Sequence, residues 1–511
     1  MKKCLSVMFA IAVAVALLGT AAVSFAAYDV WDGTTATSFA GGEGTENSPY
    51  LISNGAQLAL LREIVNAYDG TYDSLYKKVY GDRSEGMLVR PNGTAKTHKR
   101  LSGKYFKLTN DIDMNNTNFV KGIGWSNDKD IAYTFAGIFD GNGHIIKNFN
   151  LTGTSSSCAS GLFGITEDAT IENLGMEDAA VTVGHNGSIF GHSVLIGKAY
   201  GNLTLNNCYV RNSKVTNSAA TTDETVGLGI LTGTVGDDSL SDSGKYMISN
   251  CYAVNCEIGS QTENAKLKKV SAFGKTKGYN IEINNCYAAN TEKNMGLKIT
   301  NIQTIKDSSR TNYIFSCQAD GTDAGNYTSK GQNCFVIGKK QSAVFYLKQG
   351  EAFYNVTADE LKALPTGLNS ESAYKKDVYG INGGYPILNW EYERVCNPYK
   401  VENPKYIKDG NVIQAPEAGA TLSAADITKN TATAAGNGTA VFAFFDGNER
   451  LQAIKAVNFT NSDFNQSATA TLTVNMELPG GDNFNNGKIK IFIFDSMSTL
   501  KPENRDVTVI R

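Results

Sequence analysis

The chain has 511 residues, with 47 Lys and Arg against 50 Asp and Glu, a formal charge of −3, and only 4 His. So even a balance leaves no basic footprint for nucleic acid. No G-x-S-x-G elbow, H-E-x-x-H pair or glycine-rich phosphate loop occurs in the sequence, which removes the common hydrolase, zinc-peptidase and nucleotide-binding signatures.

Residues 1–26 read as a secretory signal. Lys2 and Lys3 precede an apolar run to Leu18, and Ser24 and Ala26 suit the −3 and −1 sites of cleavage. The remainder carries no apolar run long enough to span a bilayer, so an exported chain with no transmembrane segment after processing is expected.

Residues 27–134 read as an entry cap. Gly41-Gly42-Glu43-Gly44 marks turns, Tyr50-Leu51-Ile52 a short strand, and Leu58, Leu61, Ile64 and Val65 recur at helical spacing. A helix there would cover the open end of a repeat array. The charged stretch from Tyr80 to Arg100 reads as an exposed insertion. Strand alternation resumes at Tyr105-Phe106-Lys107-Leu108 and Asp111-Ile112-Asp113-Met114.

Residues 135–393 carry a repeat. Six segments fit the order apolar, spacer, Asn, apolar or Cys, spacer, apolar, with the asparagines at Asn148, Asn173, Asn207, Asn250, Asn285 and Asn333, which lie 25, 34, 43, 35 and 48 residues apart. Rung-sized, variable spacing is the mark of a solenoid with loops between coils. Period-2 alternation turns the apolar columns inward, and an Asn repeated at one corner can bond the Asn and backbone of the coil above. Together these predict an all-β right-handed parallel β-helix with helical caps, and the 25-residue step reads as a bare coil. Cys208, Cys251, Cys286 and Cys334 share one apolar column in which Phe149 and Leu174 stand in for them, which favours free, buried thiols over bridges. Thr357 with Glu360, followed by Leu361 and Leu364, signals an exit-cap helix.

Residues 394–415, where periodicity stops and Pro398 and Pro404 occur, read as a linker. Short alternating strands within residues 416–511 then predict a small antiparallel β-sandwich.

The motifs Phe139-Asp140-Gly141-Asn142-Gly143-His144-Ile145-Ile146 and Gly161-Leu162-Phe163-Gly164, with the Asn-Cys-Tyr rungs, resemble the repeat units called GLUG. The entry segment from Trp31 to Ile52 and the exit Gly384-Tyr385-Pro386-Ile387-Leu388-Asn389-Trp390 extend that resemblance over most of residues 28–393. The segment Lys488 to Met497 with Leu500-Lys501-Pro502 resembles a sandwich module at the ends of secreted proteins of anaerobic Gram-positive bacteria. The resemblance implies a pectin-lyase-like β-helix on an exported bacterial protein, and it brings no catalytic residues with it.

Two function classes follow. In the first, Tyr209, Tyr252, Tyr287 and Phe335 stack up an outer face, where they would meet sugar rings or a partner surface, or else cover a neighbouring loop. This gives a secreted or surface-associated, non-catalytic protein binding polysaccharide, a cell-surface glycan or a protein. In the second, a polysaccharide lyase or glycoside hydrolase, the candidate carboxylates are Asp111, Asp113, Asp140, Asp237 and Asp238. No cofactor is required. Calcium is conceivable at Asp320, Asp323 and Asn326, which lie in a glycine-containing loop but miss the EF-hand spacing. His185 and His192, seven residues apart, read as structural or exposed groups.

Overall fold

The computed structural model describes residues 29–510, apart from 68–87, 90–95, 127–130, 154–158, 185–190, 219–226, 237–243, 262–264, 267–268, 277–279, 291–297, 301, 304–329, 333, 338–352, 370–371, 379, 430–435, 465–468, 499, 501 and 505–506. The signal reading of residues 1–26 therefore lies outside the described residues. The chain divides into two compact units, Tyr28–Asn389 and Trp390–Arg511.

The first unit is a parallel β-solenoid. Its long sheet runs through Tyr50–Ile52, Tyr105–Leu108, Ile138–Lys147, Phe163–Glu177, Ile196–Asn206, Lys245–Ser249, Asn280–Asn284 and Lys330–Gln332, each paired in parallel with the next coil. A second face stacks Asn150–Gly153, Ala180–Val183, Lys214–Asn217, Glu257–Ser260 and Lys298–Thr300. A third stacks Gly191–His192, Gly227–Gly229 and Lys269–Ser271. Alternation sends Phe139, Ile171, Leu205, Ile248 and Ile283 into one continuous core, where Phe135 and Phe163 pack at 5.2 Å between ring centres.

The register corrects the sequence alignment of the repeat. Lys147 pairs with Glu177, and Leu174 with His144. Asn148 therefore belongs with Asp178, Asn212 and Asn255 at a second corner, five residues beyond the corner of Asn173, Asn207, Asn250 and Asn285. All eight residues adopt the left-handed conformation, with φ between 52° and 58°. Asn and Asp reach that region at low cost because their side chains bond locally. Two corners of one chemistry produced the misalignment. The 25-residue step joins different corners, and a bare coil is the 30 residues from Asn150 to Ala180. Phe149 leaves the thiol column for the same reason.

The Asn ladder is real but changes partners. Asn207 Nδ2 donates to Asn173 Oδ1 at 2.7 Å, and Asn285 Nδ2 to Asn250 Oδ1 at 3.2 Å. Between them, Asn250 turns to Asn206 Oδ1 at 3.1 Å. Below them Asn173 Nδ2 donates to Asp140 Oδ1 at 3.0 Å.

The entry helix covers Gly55–Asn66, with Asn54 Oδ1 accepting from Gln57 N at 3.0 Å, and it buries Leu58, Leu61, Ile64 and Val65 as the spacing predicts. The Thr357 and Glu360 pair forms a capping box on helix Ala358–Lys362. Lys96–Arg100, read as part of an exposed insertion, is instead a strand paired in parallel with Ile131–Phe135. Charge alone misled there, because the Lys99 ammonium is consumed by an ion pair with Asp168.

The second unit holds two four-stranded antiparallel sheets. One runs Asn411–Ile413, Tyr399–Lys408, Thr421–Lys429, Thr469–Glu477; the other Leu451–Phe459, Gly438–Phe445, Lys488–Phe494, Thr508–Ile510. Their inner faces share a core of Tyr406, Leu422, Phe442, Phe444, Val474 and Ile491. Residues 399–413 are thus strands of the sandwich and not a linker. Pro404 is accommodated because it sits in a bulge between Glu402 and Lys405, where no ladder bond is lost.

Candidate functional site

The aromatic column does stack, but it does not face solvent. Rings of Tyr209 and Tyr252 lie 4.9 Å apart with 3° between planes, and Tyr252 and Tyr287 repeat the spacing at 13°. Tyr209, Tyr252 and Tyr287 are fully buried and Phe335 is 5% exposed. They point away from the solenoid core, as alternation requires, into a covered layer. The exit segment closes over one end: Asn382 Nδ2 donates to Tyr287 Oη at 2.8 Å, the Tyr287 hydroxyl donates to the Pro386 carbonyl, and Tyr374 Oη donates to Asn285 O at 2.8 Å. That segment is itself fixed by Asp377, which accepts from the backbone N–H groups of Ile381, Asn382 and Gly384. At the other end Tyr209 Oη donates to Glu177 Oε1 at 2.5 Å, and Arg211 pairs with the same carboxylate. A ligand-binding aromatic strip at these residues is overturned by that burial.

The carboxylate candidates separate into three roles. Asp111 is buried: its Oδ1 lies 3.1 Å from His144 Nδ1 and accepts from Ile145 N at 3.1 Å. His144 shares the inward column of Leu174, so this pair fixes the first coil and presents nothing outward. Asp113 accepts from Asn148 Nδ2 at 2.8 Å and Asn115 N at 2.9 Å, with Lys147 Nζ at 3.3 Å. Burial alone would raise its pKa, but these bonds and the lysine hold it below the usual value. It is the footing of the second corner. Asp140 is the one that faces out, half-buried on the long sheet. Asp237, Asp238, Asp320, Asp323, Asn326 and His185 lie outside the described residues, and His192 is buried. Among the described residues no three His, Cys, Asp or Glu side chains converge as a metal-holding group.

Asp140 opens a track that the sequence reading passed over. The register aligns Lys107, Asp140, Glu172, Asn206, Ser249 and Asn284 in one outward column. Two residues earlier on each strand, Ile138, Thr170, Thr204, Met247 and Glu282 form a parallel column. All of these side chains are half-buried. Glu172, Asn206, Ser249 and Asn284 occupy the spacer before each Asn of the repeat; their shared polarity was the available signal. Lys107 Nζ stands 3.8 Å from Asp140 Oδ2, whose other oxygen accepts from Asn142 N at 2.7 Å. Burial and the facing Asp140 raise the Glu172 pKa above the usual carboxylate value. The track thus offers two carboxylates of adjacent coils at one end and a row of hydroxyls and amides along the axis.

A further polar group lies under cover on the same sheet. Thr134 Oγ1 donates to Glu167 Oε2 at 3.2 Å, and Lys198 Nζ sits 4.4 Å over the Tyr200 ring. Burial of all four closes them to a substrate.

The architecture is that of a parallel β-solenoid followed by an antiparallel β-sandwich. No protein-family model matches the chain, so the GLUG and C-terminal-module resemblances rest on the motifs alone. A protein of Evansella cellulosilytica, provisionally named a Gly-rich membrane protein, is 28% identical over 180 residues; the match covers 35% of this chain, which spans 16% of that relative's length. Among solved structures, one from Bacteroides ovatus, provisionally named an immunoglobulin A1 protease, aligns over 69% of this chain and 95% of its own, at 20% identity and a TM-score of 0.40. Among the described residues no helix is long and apolar enough to cross a membrane.

Proposed function

We propose that this is an exported, surface-associated β-solenoid that binds an extended polysaccharide or cell-surface glycan along the outer polar track, without turning it over. The observation that carries the reading is the in-register row Thr170, Thr204, Glu172, Asn206, Ser249 and Asn284, half-exposed on consecutive coils. Coils repeat at about 4.8 Å, a period close to that of successive sugars in an extended chain. Hydroxyl and amide side chains both donate and accept, as sugar hydroxyls demand. The signal-like residues 1–26 support export, and the reading requires no cofactor.

One observation favours an enzyme as the second reading. Glu172 holds its proton more tightly than an ordinary carboxylate beside Asp140, the pairing that a glycoside hydrolase uses for acid and base.

The test is a glycan-array assay run beside reducing-sugar and unsaturated-product release on the polymers that bind. Binding without product, weakened at least about tenfold in a Thr204→Ala, Ser249→Ala, Asn284→Ala triple variant, supports the first reading. Product release that disappears in Glu172→Gln establishes the second. Binding untouched by the triple variant removes the track as the site.

A further inference from the structure

Behind the tyrosine layer, on the core side of the same strands, the thiols of Cys208, Cys251, Cys286 and Cys334 occupy one column on four consecutive coils. Their flanking residues are in register: Tyr209 with Tyr252, Tyr252 with Tyr287, and Tyr287 with Phe335. Backbone bonds tie each coil to the next at the cysteine carbonyls, from Tyr252 N to Cys208 O, Tyr287 N to Cys251 O and Phe335 N to Cys286 O. None of the four is in a disulfide and all are fully buried, each thiol donating to a backbone carbonyl, of Asn206, Ser249, Asn284 and Ile283 in turn. Each has the next thiol of the column as a side-chain neighbour. Leu174 closes the column below, and beyond Cys334 the strand Cys334–Ile337 pairs in parallel with the strand Phe353–Val356.

Register fixes the spacing between neighbouring thiols near that of the coils, about 4.8 Å. A bond between a thiolate and a soft d10 metal ion is about 2.3 Å. Two such bonds in line span about 4.6 Å, so an ion midway between adjacent coils meets both sulfurs without backbone movement. Thiolate ligands select soft ions. A tetrahedral zinc site is a poor competitor, since among the described residues no group of three His, Cys, Asp or Glu side chains converges to hold a metal.

We infer that the Cys208–Cys251–Cys286–Cys334 column is a soft-metal ladder that takes up two-coordinate d10 ions, such as Cu(I), Ag(I) or Hg(II), each held between two neighbouring thiols and each thiol serving one ion. Charge balance supports it. A divalent ion displaces two thiol protons to water and forms two sulfur–metal bonds, leaving a neutral complex in an apolar core. A monovalent ion displaces one proton and binds one thiolate and one thiol, again neutral. Neither step needs an oxidant, and neither leaves an uncompensated buried charge. Four thiols hold two ions. Cys256 stands alone in the Ala179 and Ser213 column of the second corner and serves as an internal control. Because the column is buried, entry needs local opening and uptake is slow.

The experiment uses the full reduced chain titrated with mercuric chloride, and separately with silver nitrate, following bound metal and released protons. Two ions per column are expected, with two protons per Hg(II) and one per Ag(I). Two double variants discriminate. Cys208→Ala with Cys251→Ala leaves the adjacent pair Cys286 and Cys334, and should lose one ion relative to the parent. Cys251→Ala with Cys286→Ala leaves the same number of thiols on separated coils, and should lose both. Equal uptake by the two variants overturns the ladder. If either variant misfolds by circular dichroism, X-ray absorption on the parent decides. Two sulfurs at about 2.3 Å in a linear shell support the ladder, whereas one sulfur with oxygen or nitrogen overturns it. A column already bridged by disulfides before metal is added also overturns it.

Discussion

Gly175 is the floor on which the Tyr209 ring lies. The two residues pair in register on adjacent coils, and a Cβ at Gly175 would stand 2.6 Å from Cζ of the tyrosine. The ring leans back over the preceding coil and its hydroxyl reaches Glu177. Gly175→Ala therefore forces the first ring of the stack to move, with an expected loss of about 1–3 kcal/mol in urea unfolding. Combining it with Tyr209→Ala should cost less than the sum of the single changes, since the clash disappears with the ring. Strict additivity would mean that the ring does not rest there.

The cover on the other end of the stack is held by two hydroxyls, those of Tyr287 and Tyr374. Tyr287→Phe keeps the ring and removes the group that donates to Pro386 O and accepts from Asn382. Asn382 is buried, so its amide is left without that acceptor. A loss of about 1–3 kcal/mol is expected. Hydrogen exchange should quicken at residues 381–388 before it quickens in the coils, and equal protection in both places would contradict the contact.

Acid should attack the corners first. Asp113 and Asp168 both titrate below the usual value of an aspartate; burial works against this in each, and hydrogen bonds and the Lys147 or Lys99 ammonium outweigh it. A folded-state pKa below the unfolded one means stability that is present above about pH 4 and lost as pH falls through the folded value. Thermal denaturation should show a falling midpoint below pH 4, and Asp113→Asn and Asp168→Asn should each flatten that fall while lowering the midpoint at pH 7. An unchanged acid limb in both variants would sink the assignment.

How far the sequence foretold this molecule can be argued from single columns. Ile171, Leu205, Ile248 and Ile283 alternate with polar neighbours at period 2, and that alone gives strands, an inward face and a solenoid. Register between coils is not contained in the pattern. Asn148 and Asn173 look equivalent because both sit where the chain must turn left-handed, yet they occupy different corners. The outward direction of Tyr209, Tyr252 and Tyr287 was legible; the cover over Tyr287 was not, because Tyr374, Asn382 and Pro386 come from 89 to 99 residues along the chain from the groups they bond. The polar track went unread for the opposite reason: Glu172, Asn206, Ser249 and Asn284 are chemically diverse, and only their stacking makes them a surface.

Glu172 separates the two functional readings through stability as well as activity. Its pKa is raised above the usual value of a glutamate by burial first and by Asp140 second. The folded state therefore holds this proton more tightly than the unfolded chain does. Its favourable contribution is fully present below about pH 4.5 and is lost as pH rises through the folded value, leaving a neutral-pH structure that carries an unfavourable carboxylate. Glu172→Gln removes that charge while keeping the shape, so it should raise the unfolding midpoint at pH 7 and leave it unchanged near pH 3. A binding track tolerates the exchange, because an amide donates and accepts along the same column as Asn206 and Asn284. A hydrolase does not: its general acid would be gone, and turnover should fall by at least about a hundredfold. A variant that is more stable at pH 7 and binds glycan as well as the parent would therefore mark Glu172 as a wall of the track, and one that is more stable and binds but has lost turnover would mark it as the acid of an enzyme.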